Sequence, residues 1–365
     1  MQLPASDQLN VSPLTRIFKS TSAAYKYFWF LSLLELIQKD QTEIPYAEVI
    51  ARMFAKAWYP RLFFKLSFGK KESLAKLIDD LEGVHGLGFD ASESSIISTL
   101  MGAHHATDMV KGAFRRVADE VPYRFLSPWI SESSNTRMVM RSQTLENDCL
   151  YALYRDKTYG LLIRINPHWV GYLQRNYQIL LDFTYWHLAV YLQARNPNVP
   201  NITSKVMREQ KRSSLKRQRE FWSTAIGVRE GMRCVYTDEV IGVDAKFDLD
   251  HFLPWRFVAH DRLWNLVPII NQHNQLRLNS SKSDKLPVLD RFLPRLAREH
   301  WISINALLDR GREPTILEDY GDLGIVIDSE NFKSMSEENF FEVFQKTYTP
   351  MTLIAKNMGF EQWIF

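Results

Sequence analysis

Two prolines and three asparagines within six residues, Asn196 to Asn201, divide this chain into a part before them and a part after them. They follow a long helical pattern of apolar residues from Trp169 to Arg195. Proline lacks the amide proton that an interior helical residue donates, so the helix has to end there. At 365 residues the chain also exceeds what one hydrophobic core usually organises. We therefore predict a domain boundary at this segment.

The part before the boundary has the pattern of a helical domain. Apolar residues recur at three- and four-residue spacing in Tyr25–Leu36, Tyr46–Ala57 and Glu93–Met101, and again between residues 72 and 81. Further on, two short apolar runs flank a polar loop that ends in Gly160. This arrangement is typical of a β-hairpin, which predicts a small β insert among the helices.

Positive charge is concentrated just after the boundary. Residues 201–222 hold seven basic side chains against two acidic ones, whereas the net charge of the whole chain is only +3. A solvated helix face and a surface that contacts phosphates would both show this pattern. We predict a basic linker helix there, with Arg212, Lys216 and Arg217 as nucleic-acid contacts.

The residues with the clearest chemistry lie between Asp248 and Lys285. Alternating apolar residues near the start of this segment, and the run Trp264–Ile270, predict two strands. The polar stretch from Asn271 onwards is suited to a helix packed across both strands. Such a hairpin and helix would bring together an aspartate, a histidine and an asparagine that are distant in sequence.

These three residue types suit phosphodiester hydrolysis. The neutral imidazole of His251 can take a proton from water near neutral pH. A hard divalent cation such as Mg²⁺ prefers oxygen ligands, which the Asp250 carboxylate and the Asn279 carbonyl would provide. A metal held there acts as a Lewis acid on the phosphate.

The segment resembles the HNH (His-Me finger, ββα-metal) nuclease motif, and most closely the branch that includes the HNH domain of the CRISPR guide-directed nuclease. The residues that match are Asp250-His251, Pro254, Asn265 and Asn279-Ser280-Ser281-Lys282-Ser283-Asp284. The resemblance implies that His251 is the general base and that Asp250 and Asn279 hold one Mg²⁺ or Mn²⁺ ion. It also implies that Asn265 braces the loop carrying the base, and that Lys282 lies near the scissile phosphate.

The chain departs from the family pattern in two ways. Asn279 lies further from the middle asparagine than family members usually place the last ligand, and Asn274 occupies the usual spacing. We favour Asn279 because the Lys-Ser-Asp sequence follows it. Cys234 has no partner cysteine nearby, so we expect no structural zinc. Arg256, directly after the first strand, is a further candidate contact to phosphate.

These inferences predict an α+β fold in four regions. We expect a mostly helical domain with recognition or regulatory function over residues 1–200 and a basic linker helix over 201–224. A ββα HNH nuclease module would follow over 225–290, and a helical C-terminal region over 291–365.

The resemblance also implies a biological setting. Weaker likeness before the motif extends to segments found in stand-alone bacterial restriction and anti-phage nucleases. We expect a DNA endonuclease that nicks one strand per active site, with partner proteins of a defence system among its partners. The chain start lacks a secretory signal and Tyr27–Ile37 is too short to span a bilayer, so we expect a cytoplasmic protein with no membrane partner.

Two alternatives stay open at this stage. One is a catalytically silent or partner-gated scaffold that binds nucleic acid, and the other is a nuclease directed at RNA. The sequence leaves the oligomeric state undetermined.

Overall fold

The protein, described by a computed structural model, has an α+β fold that divides into two compact units. Unit 1 comprises Met1–Pro197 and Ile202–Arg208, and unit 2 comprises Asn198–Asn201 and Glu209–Phe365. The structure describes residues 2–19, 21–69, 73–83, 86–103, 106–156, 160–207, 214–270, 284–328 and 332–363. Among these residues, no helix is both long and apolar enough to cross a bilayer.

Unit 1 is built mainly from helices. Its described α-helices, α1 to α11, are Ser12–Thr15, Tyr25–Gln38, Tyr46–Trp58, Ser73–Leu81, Glu93–Ala103, Asp108–Ala118, Val121–Phe125, Asn135–Gln143, Pro167–Arg175, Tyr177–Gln193 and Ile202–Lys205. A π-helical turn, Tyr59–Phe63, extends α3, and a 3-10 turn covers Glu146–Asp148. The four helices predicted from apolar spacing are all present, to within two residues at each end. Helix α2 is buried on almost every side, because its aromatic residues form the centre of the unit 1 core.

The predicted hairpin is also present and carries a third strand. Strands β1 (Glu43–Pro45), β2 (Tyr151–Asp156) and β3 (Gly160–Ile165) form an antiparallel sheet in the order β1-β3-β2. The sequence did not predict β1, because three residues ending in proline carry no measurable periodicity. The sheet packs its apolar face towards the helices, with Ile163 fully buried between its two neighbouring strands.

The long helix predicted from Trp169 to Arg195 is interrupted in the structure. Helix α9 ends at Arg175 and α10 begins at Tyr177. The side-chain amide of Asn176 donates to the Tyr172 carbonyl at 2.9 Å, in competition with the backbone. Asparagine disfavours helix interiors through this kind of local hydrogen bond.

Unit 2 combines two small sheets with long helices. Its described α-helices, α12 to α15, are Lys216–Arg229, Trp255–Val258, Leu289–Leu308 and Glu337–Asn357, and its 3-10 segments are Leu263–Asn265, Thr315–Leu323 and Phe332–Ser334. Strands β4 (Met232–Arg233) and β5 (Val240–Ile241) form one antiparallel pair. Strands β6 (Phe247–His251) and β7 (Leu266–Ile270) form the other, in agreement with the two predicted strands.

The regions predicted as linker helix, HNH module and C-terminal helices share one hydrophobic core in unit 2. Phe221 and Trp222 of α12 are buried in the same cluster as Phe252, near the hairpin, and Phe344 of α15. The hydroxyl of Tyr348 donates to the Trp264 carbonyl at 2.7 Å, which joins α15 to the turn before β7. The small hairpin is therefore stabilised by burial against flanking helices that the sequence pattern placed in separate regions.

Candidate active site

The β6–β7 hairpin positions the two residues that the sequence singled out first. Asp250 pairs with Val267 and His251 with Leu266, so both side chains leave the sheet where β6 ends. Alternation along β6 places Asp250 on the same face as Asp248, opposite Phe247 and Leu249. Those two apolar side chains pack against the unit 2 core, and all five residues of β6 are partly buried.

Asn265 braces the segment that follows His251. Its Oδ1 accepts from the Leu253 amide at 2.9 Å and its Nδ2 donates to the Leu253 carbonyl at 3.0 Å. Its own carbonyl accepts from the Phe252 amide at 2.8 Å. Asn265 is fully buried, so these bonds form away from water and fix the backbone directly after the histidine.

A carboxylate that the sequence analysis did not assign contacts the imidazole of His251. The Nε2 atom of His251 lies 2.9 Å from Oδ1 of Asp261, and both side chains are largely buried. A carboxylate can only accept, so it holds the ring proton on Nε2 and leaves the basic lone pair on Nδ1. The main-chain carbonyl of Asp261 accepts in turn from Nε2 of Gln218 at 2.8 Å, which ties its loop to α12.

A second unassigned residue, Tyr236, orients Asp250. The Tyr236 hydroxyl donates to Oδ2 of Asp250 at 2.7 Å. Burial, followed by the negative charge of Asp250, raises the pKa of Tyr236 well above its ordinary value. The hydroxyl therefore keeps its proton and acts as a donor to the carboxylate.

The loop between β6 and β7 is held by ion pairs around a small pocket. Arg262 donates to Asp319 at 2.7 Å and lies 2.9 Å from Asp322. Burial lowers the pKa of His260 to about 4, so its ring is neutral at physiological pH. The pocket, with a volume of about 280 Å³, is lined by His260, Asp261 and Arg262 together with Arg217.

The predicted nucleic-acid contacts have different surroundings in the structure. Lys216 is an exposed side chain of the first turn of α12, and Arg217 is exposed and donates to the Thr315 hydroxyl at 3.1 Å. Arg256 differs from the sequence expectation: it is only 6% exposed, and its guanidinium is 3.1 Å from Asp284. Since a phosphate contact needs an accessible guanidinium, the structure instead makes Arg256 a brace between α13 and the segment after β7.

Several predicted site residues lie outside the described residues. These are the second metal ligand Asn279, its alternative Asn274, Lys282 and the basic residue Arg212. Within the described ranges no group of three histidine, cysteine or acidic side chains converges on one point. Of the two proposed metal ligands, only Asp250 lies within the described residues, and Tyr236 holds its carboxylate in place. Carboxylate oxygens are the hard ligands that Mg²⁺ and Mn²⁺ prefer, so Asp250 fits such an ion.

Two side chains of this site were missed at the sequence level for different reasons. The adjacent pair His260-Asp261 was visible as a His–Asp dipeptide, but no neighbouring motif linked it to His251. Tyr236 gave no signal, because a single aromatic residue 14 positions before an aspartate is common in any core.

The end of β6 thus carries an imidazole in contact with the Asp261 carboxylate and an aspartate that accepts from the Tyr236 hydroxyl. Residues 234–288 match the model of an HNH endonuclease family. Unit 2 thus contains an HNH endonuclease domain, and the family resemblance expected from the sequence is confirmed. The narrower likeness to the CRISPR branch receives no support from this match. No curated protein and no solved structure matches the chain.

Proposed function

We propose that this protein is an HNH endonuclease that hydrolyses DNA phosphodiester bonds with one Mg²⁺ or Mn²⁺ ion per site, nicking one strand at a time. The HNH domain match indicates a nuclease acting on nucleic acid. The observation that carries the mechanism is the hydrogen bond between His251 and Asp261, because it gives the imidazole one defined basic nitrogen.

His251 is the general base in this proposal. With its Nε2 proton held by Asp261, its Nδ1 atom accepts a proton from the attacking water. The carboxylate then stabilises the imidazolium that forms, and the buried amide of Asn265 keeps the backbone after His251 from shifting during proton transfer. Water attacks the phosphorus and the bond from phosphorus to the 3′-oxygen breaks. The 3′-oxygen leaves and takes up a proton to become a 3′-hydroxyl, and the phosphate stays on the 5′-oxygen of the next nucleotide, which predicts 5′-phosphate and 3′-hydroxyl ends.

Asp250, with Asn279, would hold the metal, which when bound supplies Lewis-acid stabilisation of the phosphate charge. Tyr236 fixes the rotamer of Asp250 before a metal binds, because its hydroxyl donates to one carboxylate oxygen. Support of a ligand by a neighbouring hydrogen-bond donor typically raises metal affinity. Lys282 is proposed to lie near the scissile phosphate.

Lys216 and Arg217 are proposed to contact the DNA backbone. Both are exposed on α12, and Arg217 lines the same pocket as Asp261. Cations next to a catalytic pocket lower the energy of bringing a polyanion to it. DNA is favoured as substrate by the sequence likeness to restriction and anti-phage nucleases, which also supports a role in bacterial defence.

The proposal is tested by nicking of supercoiled plasmid with Mg²⁺, with Mn²⁺ and with EDTA. We expect open-circle product only with metal, and a loss of at least about a thousandfold in rate for His251→Ala. The matched control is His168→Ala, since His168 also pairs with an aspartate, Asp148 at 3.1 Å, but on the exposed surface of unit 1. Cleavage by His251→Ala at the wild-type rate would refute the assignment of the base.

The choice of substrate is tested separately. The same assay on single-stranded DNA and on RNA should show slower or no cleavage of RNA. The defence role is tested by comparing phage plating on bacteria that express the wild-type chain or His251→Ala. Equal plating on both would contradict that role without affecting the chemistry.

A further inference from the structure

Unit 1 contains a large cavity, lined by both polar and apolar side chains, that the nuclease chemistry does not use. It has a volume of about 940 Å³ and lies at the start of α2, beside α7. Its lining includes four residues that carry hydroxyl groups, Ser22, Tyr25, Tyr123 and Ser127. A second hollow of about 450 Å³ shares Lys26 and Ser127 with it, so the two are neighbours. A lining rich in hydroxyl donors suits a ligand with several acceptor oxygens.

Lys26 is the cation that lines both the cavity and the neighbouring hollow. It is in the first turn of α2 and is half-buried. Burial, and then the positive charge of Arg124, lower the pKa of Lys26. A cation that is partly removed from water beside another cation is destabilised unless an anion approaches it.

Two more cations, Arg16 and Lys19, lie in the neighbouring hollow. Within the residues that the structure describes, neither they nor Lys26 form an ion pair. Helix α2 starts at Tyr25, and the positive end of its dipole adds to the same potential.

The two carboxylates in the cavity wall are engaged with groups other than Lys26. Glu120 is hydrogen-bonded to Arg124. Glu132 accepts from the amides of Ser133 at 2.9 Å and Ser134 at 3.1 Å, and is 3.8 Å from Arg141. Glu120 therefore neutralises Arg124, whereas neither Glu120 nor Glu132 pairs with Lys26.

We propose that this cavity and the neighbouring hollow bind a small phosphate-bearing molecule of nucleotide size, with Lys26, Arg16 and Lys19 as the cations that contact it. The volume is in the range of small-molecule sites, and a half-enclosed cavity suits a compact ligand better than a continuous nucleic-acid strand. Several cations together favour phosphate over a single carboxylate, because phosphate groups carry more charge and more acceptor oxygens. Unit 1 would then be the ligand-binding unit of the nuclease.

The experiment is calorimetric titration of the full-length protein in EDTA, which keeps the nuclease site metal-free and prevents cleavage. The probes are inorganic phosphate, pyrophosphate, ATP and a short single-stranded DNA oligonucleotide. We expect pyrophosphate and ATP to bind, and Lys26→Met to weaken them by about tenfold or more. Lys26→Arg, which keeps the charge, should retain most of the affinity.

The matched control is Lys111→Met, which removes the same charge from an exposed position on α6 outside the cavity. It should change affinity by less than about twofold. The double variant Arg16→Gln/Lys19→Gln changes only exposed side chains, so its effect does not depend on how the core tolerates Lys26→Met. Melting temperatures of all variants check that unit 1 remains folded.

Loss of pyrophosphate and ATP binding in Lys26→Met and in the double variant, but not in Lys111→Met, supports the proposal. Absence of binding to the wild type, or equal binding by Lys26→Met, overturns it. Binding of the oligonucleotide alone, dependent on Lys26, would make the ligand a nucleic acid and overturn the small-molecule assignment. None of these results depends on nuclease activity.

Discussion

The Nε2 atom of His251 lies 2.9 Å from Oδ1 of Asp261, a residue ten positions later in the chain. The segment between β6 and β7 is held in place by Gln218, which donates to the Asp261 carbonyl, and by Asp319, which accepts from the Leu263 amide. This contact turns a histidine at a strand end into an imidazole with a defined tautomer. In the proposed mechanism Asp261 is a positioning residue, since it acts through His251.

The first prediction concerns this contact. Asp261→Asn should lower kcat for plasmid nicking by about a hundredfold to ten-thousandfold, because an amide can hold the wrong imidazole tautomer. The KM for DNA and the Mg²⁺ concentration for half-maximal rate should stay near the wild-type values. The control is Asp322→Asn, a nearby carboxylate that pairs with Arg262 rather than with His251. An unchanged kcat in Asp261→Asn would remove Asp261 from the mechanism.

The second prediction concerns the brace. Asn265→Ala removes both side-chain bonds to the Leu253 backbone in a fully buried position. The free energy of unfolding of unit 2 should fall by about 2 to 4 kcal/mol, and nicking should be lost. Urea denaturation measures the first effect. Asn305→Ala, which removes a single bond to Trp301 on a partly exposed helix face, should cost about 1 kcal/mol or less. If Asn265→Ala and Asn305→Ala lowered the free energy of unfolding equally, Asn265 would not be a brace.

The third prediction separates metal binding from chemistry. Tyr236→Phe removes the donor to Asp250 and should raise the Mg²⁺ concentration for half-maximal nicking about tenfold or more. At saturating metal, kcat should be largely restored. Tyr348→Phe is the matched control, since that buried hydroxyl donates to the Trp264 carbonyl instead. If both variants need the wild-type amount of Mg²⁺, Tyr236 does not support a metal ligand.

The fourth prediction tests the proposed DNA contact on α12. Lys216→Gln should weaken DNA binding and reduce the slope of log affinity against log salt by about one. Lys346→Gln provides the control: both lysines are exposed, 80% and 76%, and both pair with a glutamate four positions along a helix. Equal slopes for the two variants, measured in EDTA, would show that Lys216 does not touch the backbone.

The fifth prediction uses a buried lysine of unit 1. Burial lowers the pKa of Lys205 to about 7 from 10.5, and its side chain is fully buried. Between pH 7 and pH 10.5 Lys205 is protonated in the unfolded chain and mostly neutral in the folded one. The free energy by which Lys205 destabilises the folded state therefore decreases as the pH rises through this range. Lys205→Met should therefore stabilise unit 1 by about 2 to 4 kcal/mol near neutral pH and below, and the gain should shrink towards about pH 10.

Thermal unfolding at several pH values measures this dependence. Lys111→Met, at an exposed position, should show no such trend. A gain from Lys205→Met that is independent of pH would show that lysine charge is not the cause.

Local elements of this fold follow from the sequence because their signals lie within one or two turns of chain. Helix α3 shows this most clearly, since its apolar residues repeat at three and four positions and its ends agree with the prediction to one residue. The β6–β7 hairpin was likewise predicted from alternation, Asp250 and His251 were singled out by their chemistry near the end of its first strand, and Asn265 was implied by the resemblance to the HNH motif. The break at Asn176 and strand β1 escaped prediction because each depends on a few residues and their surroundings.

The residue types of the site, their order and the helical or extended state around them are properties of the chain itself, since side-chain chemistry and hydrophobic periodicity are local. The pairing of His251 with Asp261, the donation of Tyr236 to Asp250 and the burial of Arg256 against Asp284 arise only from tertiary packing. Each joins groups from different segments, and their approach is set by the shared core of unit 2. No local sequence pattern predicts these contacts, because the free energy that brings the segments together comes from burying apolar residues at other positions of the core.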